Sequence, residues 1–403
     1  MVMEKPTDQI NTASVAFVLP CLNEAKTIEW CIDRALTAIA ILNERHGLSG
    51  EVIVADNGSD DGSQDLAHAA GARVVNVVDR GYGAALIGGF AASDATYLVM
   101  GDSDCSYDFV EAVDMVERLM QGADFCMGSR FKGEIKPGAM PWKNRYIGNP
   151  VLSRVLRVLF KTKISDSHCG MRAIRRDAYL RIKPTSTGME FASEMVLKSV
   201  LRGLKIDEVP ITLSPDQRDR KPHLNPWRDG LRHLIYMFLL SPKHLFFWPA
   251  LMLFIFGGAI FAALLTSGGQ TMASIGGLRF GDHWAIVASG SIAIAVQSAI
   301  MGVIAMIHSY QQGYRTPSKR ALAFLRHSRL ERWIIGGCVL ILIGFIWALM
   351  ITANWIASDF GALNQFRQLL AAATFTVSGF QIIFAGFLLS VLSGNRATHL
   401  RAI

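Results

Sequence analysis

The feature that most constrains this 403-residue chain is a shift in composition near residue 240. Beyond it come four long apolar runs: LFFWPALMLFIFGGAIFAALLTS, WAIVASGSIAIAVQSAIMGVIAMI, WIIGGCVLILIGFIWALMITANW and LLAAATFTVSGFQIIFAGFLLSVLS. They read as spans over 245–267, 284–307, 333–355 and 368–392. Each is close to the ~20 residues a helix needs to cross the hydrocarbon core. Buried core helices are the alternative, but a globular core would then have to hide four runs almost free of charge. Residues 1–240, by contrast, read as ordinary α/β sequence with charges throughout. A mean hydropathy of +0.29 and a hydrophobic content of 51% agree with a membrane portion joined to a polar one.

The net charge of +7 raises the question of nucleic acid. Its placement answers against that. Much of the excess lies in 218–244 and 313–332, beside apolar runs, where Lys and Arg mark the cytosolic face. No aromatic-and-basic stripe accompanies it. The loop after the second span carries Arg315, Lys319, Arg320, Arg326, Arg329 and Arg332. The loops on the other side carry Arg279 and Arg367. The basic loop is therefore expected in the cytosol. Four spans then place residues 1–240 and the C-terminal tail there too, in a multi-pass protein of the inner or plasma membrane. The spans lack the ionisable residues expected along a transporter's ion or sugar path.

The six cysteines form no CxxC pair, which speaks against a disulfide framework or a zinc site. The N-terminal stretch lacks the apolar region of a cleavable signal. In PWRDGLRHLIYMFLLSP, 226–242, Trp227, Leu231, Leu234, Ile235 and Phe238 share one helical face, with Arg228, Arg232 and His233 largely elsewhere. This reads as an amphipathic helix lying in the interface. A helix packed on the first half is the other reading.

Residues 14–130 alternate strand and helix. SVAFVLP, EVIVA, ARVVNVV, TYLVM and DFCMGS are the expected strands, with helical faces between them. Five alternations imply a mostly parallel, Rossmann-like sheet with helices on both faces. Ligands bind such sheets at the carboxyl ends of the strands, where this chain concentrates its polar motifs. Pro20-Cys21-Leu22-Asn23-Glu24 closes the first strand, Asp56 the second, Asp102-Ser103-Asp104 the fourth, and Ser129-Arg130 the fifth.

The chemistry gives each a use. A departing nucleoside diphosphate concentrates negative charge, which a divalent cation screens. Two carboxylates on alternate residues can share that cation and a ribose hydroxyl, and hard oxygen ligands select Mg²⁺ or Mn²⁺. Asp56 can accept from a base N–H. Glycines in RGYGAALIGG permit either close approach of the nucleotide or tight packing of helix on strand. Arg130 offers a planar fork suited to phosphate.

VLPCLNEAKTI, VADNGSDDGS, GYGAALIGG, GDSD and MGSRF, in that order, resemble the family 2 inverting glycosyltransferases. The nearest branch is the polyprenyl-phosphate glycosyltransferases, which include the dolichyl-phosphate mannose and glucose synthases. The resemblance covers about residues 14–240. It implies an α/β GT-A catalytic domain, placed at 1–225; the amphipathic stretch then makes an interfacial helix over 226–244, and the four apolar runs an all-α membrane domain of four transmembrane helices over 245–403. It also implies a nucleotide-sugar pocket of Pro20, Asn23, Glu24, Asp56, Gly81, Gly83, Asp102, Ser103 and Asp104, with Asp56 on the base, Asp102 on the ribose or the metal, and Asp104 on the metal.

Further on, SDSHCGMRAIRRDAY matches the family's Asp…Gly-x-Arg segment through Asp166, Gly170 and Arg172. GMEFASEMVLKS matches its Gly-x-Glu-Phe…Glu helix through Glu190 and Glu194. Asp104, Arg130, Asp166 and Arg172 are the expected catalytic set. Arg130, Arg218, Arg220 and Lys221 would meet donor diphosphate or acceptor phosphate; for the last three a membrane-surface patch is the other reading. The Gln-x-x-Arg-Trp motif of the processive polymerases is absent. Four C-terminal spans exceed the two of many small bacterial members of the family, and the extra pair is open to two uses, homo-oligomerisation or lipid capture.

The expected reaction is inverting transfer of a hexose to a polyprenyl phosphate, from UDP-glucose first or GDP-mannose second. Transfer to a lipid or glycan hydroxyl is the rival. It would need a general base, with Asp166, Glu190 and Glu194 as candidates.

Overall fold

Strand β1, Ser14–Cys21, is the spine of a seven-stranded sheet. Parallel strands covered on both faces read as continuous apolar runs, and Val15, Ala16, Phe17, Val18 and Leu19 have no exposed surface. The protein is described from a computed structural model covering residues 13–217, 226–267, 272–311, 314–361 and 365–392. The other strands are β2, Ser49–Asp56; β3, Arg73–Asn76; β4, Tyr97–Met100; β5, Phe125–Ile135; β6, Arg172–Arg175; and β7, Ile206–Leu213. Their order is β3-β2-β1-β4-β6-β5-β7. Pairing is parallel except that β6 runs antiparallel to both β4 and β5.

Between the strands lie α1, Ile28–His46; α2, Ser63–Ala69; α3, Tyr82–Ala91; α4, Ala112–Met120; α5, Asn149–Phe160; α6, Arg176–Ile182; and α7, Glu190–Leu201. Helix α1 stops where Gly47 takes a left-handed φ of 66° and returns its N–H to the Asn43 carbonyl; glycine does this without steric cost.

Two strands escape the sequence reading, for physical reasons. β6 is RAIR, four residues with arginine at both ends and no alternation, although Arg172 is fully buried. β7 is IDEVPITL, whose proline suits an edge strand, and it lies at the sheet's edge.

The chain divides into two units, Met1–Met237 and Phe238–Ile403. Helix α8, Pro226–Leu239, ends the first. The second contains α9, Trp248–Thr266; α10, His283–Gln311; α11, Lys319–His327; α12, Leu330–Ala357; and α13, Phe366–Leu392. Among the described residues four stretches are long and apolar enough to cross a membrane: Lys243–Thr266, His283–Gln311, Leu330–Ala357 and Phe366–Leu392. A short hairpin, β8 Ala273–Ile275 and β9 Leu278–Phe280, interrupts this helical unit. Its turn is Gly276-Gly277, at φ 54° and 85°, as a two-residue type I′ turn requires.

Small residues bring α12 and α13 together. A Cβ on Gly337 would stand 2.6 Å from the Gly379 carbonyl oxygen, and one on Gly379 would stand 2.6 Å from that of Gly337. Away from this seam Phe345, Ile346, Phe384 and Phe387 are open, as lipid-facing side chains are. Gly379→Val is therefore expected to force the pair apart and destabilise the helical unit by about 1–3 kcal/mol, read as a lower Tm in detergent. An unchanged Tm would contradict the close packing.

Candidate active site

The chain runs outward from β1 through β2 to β3, then returns to β4 on β1's other side. That reversal opens a crevice beyond the carboxyl ends of β1 and β4, the usual ligand position in open α/β sheets. Three loops are stitched together there. Thr27 Oγ1 donates to the Ser103 carbonyl at 2.6 Å, and Ser103 Oγ donates to the Pro20 carbonyl at 2.8 Å. Asn23 takes a positive φ of 58°. Its Oδ1 accepts from Asp60 N at 2.9 Å, and its own N–H donates to Ser59 Oγ at 2.9 Å. Glu24 N donates to Ser63 Oγ. The Ser103 hydroxyl thus turns back to brace the β1 loop.

Asp56, 1% exposed, organises the second loop. Its Oδ2 accepts from Gly58 N, Ser59 N and Gln64 Nε2 at 2.9, 3.1 and 2.7 Å. Its Oδ1 accepts from Ser59 N at 3.3 Å and is the less engaged oxygen. Asn57 spans to the third loop, accepting from Gly81 N at 2.7 Å, while Arg80 Nη1 donates to the Asn57 carbonyl. Gly81 and Gly83 meet the loop over 186–188: a Cβ on either would collide with the carbonyl of Thr187 or Ser186. Tight packing of protein on protein is the use of these glycines that the structure displays.

Asp102 and Asp104 follow β4. Asp102 Oδ1 accepts from Tyr82 OH at 3.1 Å, and its Oδ2 faces Gly170, where a Cβ would stand 2.5 Å away. Asp104 Oδ1 accepts from Ser106 N at 3.0 Å. Each carboxylate is oriented by a neighbour. Among the described residues no three or more His, Cys, Asp or Glu side chains gather into a metal site. Two hard oxygen donors on alternate residues are of the type that could hold Mg²⁺ or Mn²⁺, with diphosphate and water left to supply the remaining ligands. Tyr82 beside Asp102 and Tyr107 beside Gly170 are not foreseen from the sequence. Burial lifts both phenols well above their usual pKa, so they stay neutral; Tyr82 OH donates to Asp102, and Tyr107 OH accepts from Gly170 N at 3.1 Å.

Ser129-Arg130 does not close the fifth strand as expected: β5 runs on to Ile135, and its pairing with β7 shifts register just after Ser129. There Arg130 meets Asp166 in a two-pronged ion pair. Nε lies 2.7 Å from Oδ2 and Nη2 2.8 Å from Oδ1, and Arg130 N also donates to Oδ2 at 3.2 Å. Burial disfavours both charges. Asp166 outweighs it on Arg130, whose pKa rises, and Arg130 outweighs it on Asp166, whose pKa falls. Glu208 of β7 braces the segment, accepting from Ser165 N at 2.7 Å and Asp166 N at 3.2 Å. Arg172 is fully buried: Nε donates to the Cys169 carbonyl at 2.9 Å, Nη2 to that of Ser167 at 3.1 Å, and Nη1 to that of Ala192. It frames the 167–170 loop from behind and does not reach the open crevice.

His168 Nδ1 pairs with Ser167 Oγ at 2.9 Å, and burial pushes its pKa down to about 3. Because the folded value is the lower one, the unfolded chain takes up a proton first. This contribution to stability is whole above about pH 6.5 and is lost as pH falls from there toward 3. Acid unfolding is expected to begin in that window, and His168→Gln to flatten the first part of the curve. Identical curves would contradict it.

Glu194 is buried and accepts from Thr185 N, Ser186 N and Lys198 Nζ at 2.9, 2.7 and 2.6 Å. Burial alone would raise its pKa; Lys198 and the two amides lower it. It clamps the 183–188 loop. Glu190 is partly open, with Arg232 of α8 at 3.7 Å. Arg218, Arg220 and Lys221 lie outside the described residues, as do the side chains of Trp227 and Arg228.

Beside Arg130 a cavity of about 470 Å³ opens between α5, α7 and α8. Ile147, Val151, Leu152, Leu231 and Leu234 make its walls largely apolar, with Arg130, His168 and His233 among the polar lining. Helix α8 turns His233 and Met237 inward and leaves Leu231, Ile235 and Leu239 exposed, so it both packs on the domain and keeps an apolar stripe open. A second such surface escapes the sequence reading. Trp142, Tyr146, Ile147, Val151 and Val158 are all exposed, with Lys143, Arg154 and Arg157 exposed among them.

Comparison with known proteins agrees with this architecture. Residues 16–182 match the profile "Glycosyl transferase family 2", and residues 303–393 match "Glycosyltransferase family 2 C-terminal transmembrane region". The low-salt glycan biosynthesis hexosyltransferase Agl6 of Haloferax volcanii is 35% identical over 395 residues, 97% of this chain and 92% of that protein. A dolichyl-phosphate hexose transferase of the same organism is 33% identical over 183 residues, 45% of this chain and 76% of that protein. A crystal structure of glucosyl-3-phosphoglycerate synthase from Mycobacterium tuberculosis, with Mn²⁺, UDP and product, aligns over 56% of this chain and 79% of that one, at 27% identity and a TM-score of 0.45. With the Agl6 similarity running through both units, the chain belongs to glycosyltransferase family 2 and is a membrane glycosyltransferase, its GT-A unit followed by the family's transmembrane region.

Proposed function

We propose that this enzyme moves a hexose from a nucleotide-sugar to a polyprenyl phosphate at the cytosolic membrane surface, with inversion, giving a lipid-linked phospho-sugar. One observation carries the reading: an apolar cavity with Arg130 in its lining, where Arg130 lies on the same sheet edge as Asp102 and Asp104. An amphiphile with an anionic head and a hydrocarbon tail suits that cavity. The exposed Trp142, Tyr146 and Val151 surface, with its basic residues, suits the headgroup region of a bilayer. The hexose and the dolichyl-phosphate class follow the relatives' activities. UDP-glucose is the first donor to test and GDP-mannose the second.

Two of the three candidate bases, Asp166 and Glu194, favour phosphate over hydroxyl. A base is effective when its pKa lies near the working pH, and Asp166 and Glu194 are buried, ion-paired and held below the ordinary carboxylate value. A phosphate monoester is already anionic and needs no base. Its oxygen attacks the anomeric carbon opposite the nucleotide. The new C–O bond forms as the old one to the diphosphate breaks, and the electron pair leaves with the nucleoside diphosphate. Asp102 and Asp104 would hold a divalent cation that screens the diphosphate charge. Asp56 and Asn57 order the loops that would seat the nucleotide, and Arg130 orients the acceptor head.

The test is a donor panel with undecaprenyl phosphate and Mg²⁺ or Mn²⁺, reading released UDP or GDP and the acid stability of the product. A phosphodiester-linked sugar is cleaved by mild acid. An acid-stable glycoside would overturn the phosphate acceptor.

A further inference from the structure

One polar atom at the cavity wall has no partner. His168 Nε2 is buried and makes no hydrogen bond in the protein. Buried polar groups are nearly always satisfied, so an orphan at a ligand cavity asks for an explanation. Nor is the ring loose. Nδ1 pairs with Ser167 Oγ at 2.9 Å, and Ser167 Oγ lies 3.1 Å from Ser153 Oγ on α5. The backbone N–H of His168 donates to Asp166 Oδ1 at 3.3 Å. Its ring packs edge-to-face on His233 of α8, with centroids 5.0 Å apart, and His233 is in turn held by Ser193 of α7 at 2.7 Å. Three helices and a loop therefore fix an imidazole whose second nitrogen is unused, in the same lining as Arg130.

We propose that His168 is a positioning residue for the acceptor, its Nε2–H donating to an oxygen of the lipid's phosphate head. This rests on the lipid-phosphate reading above. A neutral imidazole has one donor and one acceptor nitrogen. When Ser167 O–H donates to Nδ1, the proton resides on Nε2, which is the tautomer an anionic oxygen calls for. Arg130 lies beside the same cavity, and its pairing with Asp166 uses Nε and Nη2, leaving Nη1 as the third guanidinium nitrogen. A neutral donor and a guanidinium together fix the orientation of a tetrahedral head. The imidazole adds no second positive charge to weaken the attacking oxygen. Burial and the neighbouring His233 keep it neutral.

The experiment uses the full chain in detergent with undecaprenyl phosphate and whichever of UDP-glucose or GDP-mannose the wild type accepts. Initial rates are measured against each substrate for wild type, His168→Ala, His168→Gln and His168→Phe. His168→Ala and His168→Phe are expected to raise the acceptor KM about ten- to a hundredfold, the scale of a hydrogen bond to a charged group. The donor KM stays put, and His168→Gln, which keeps an N–H donor, recovers most of the loss. An unchanged acceptor KM in His168→Ala, or equal losses in donor and acceptor KM, overturns the proposal. Should the alanine variant fail to fold, the comparison of Gln with Phe decides, and equal behaviour of the two overturns it. A wild type that transfers only to a hydroxyl refutes the lipid-phosphate reading itself; a wild type that uses the phosphate beside an indifferent His168→Ala refutes this inference alone.

Discussion

Asp104→Asn is expected to lower turnover by about a hundredfold to a thousandfold, the scale seen when one electrostatic contact to a developing charge is removed. The fold should survive. Asparagine keeps an Oδ1 that can accept from Ser106 N, the bond Asp104 makes at 3.0 Å. What it lacks is the negative charge. With only Asp102 left, the proposed metal site would hold half its anionic donors, and among the described residues no cluster of three or more His, Cys, Asp or Glu stands in for it. The metal concentration for half-maximal rate should therefore rise along with the loss of turnover, while Tm stays within error of wild type. The assay is nucleotide release across a Mn²⁺ titration. A variant with near-normal rate at ordinary Mn²⁺ would remove Asp104 from the metal site.

Asp166→Asn should strike stability as well as activity. Asp166 is 0% exposed and Arg130 8% exposed. Removing one charge of a buried pair leaves the other uncompensated, at a cost of about 3–5 kcal/mol. Tm should fall on the order of 10 °C in a unit of this size. The sign with pH follows from the lowered carboxyl pKa. The pair's contribution is complete above the ordinary carboxylate value of about 4 and is lost as pH falls through the lower folded value. Wild type and variant should thus differ at pH 7 and converge in acid. Replacing both partners, as Arg130→Met with Asp166→Leu, should restore much of the stability and none of the activity. Recovery of activity in the double variant would show that the pair serves only to hold β5 and the 165–170 loop together.

The two halves of the chain were not equally readable. The membrane spans come from composition alone, because a helix in lipid must be apolar over its whole length wherever its neighbours lie. The Val15–Leu19 strand and the polar residues at the ends of β1, β2 and β4 are nearly as plain, since a buried parallel strand and a strand-end loop differ sharply in residue type. β6 is not legible in this way. Its Arg172 is buried only because the carbonyls of Cys169, Ser167 and Ala192 converge on it, and they come from different parts of the chain. Tyr82 and Tyr107 are unremarked for the same reason: their partners lie 20 and 63 residues away.

The opening contrast between an apolar half and a charged half therefore belongs to the sequence by itself, as does the run of carboxylates along one sheet edge. Both are local patterns, written in hydropathy and in two-residue or 3.6-residue periods. Only the tertiary structure decided that Glu194 and Lys198 are used up as a buried clamp, that Gly81 and Gly83 lie against the 186–188 loop, and that Arg130, His168 and α8 enclose one cavity. Those outcomes depend on which distant groups a side chain meets when water is excluded, and nothing in local spacing reports that.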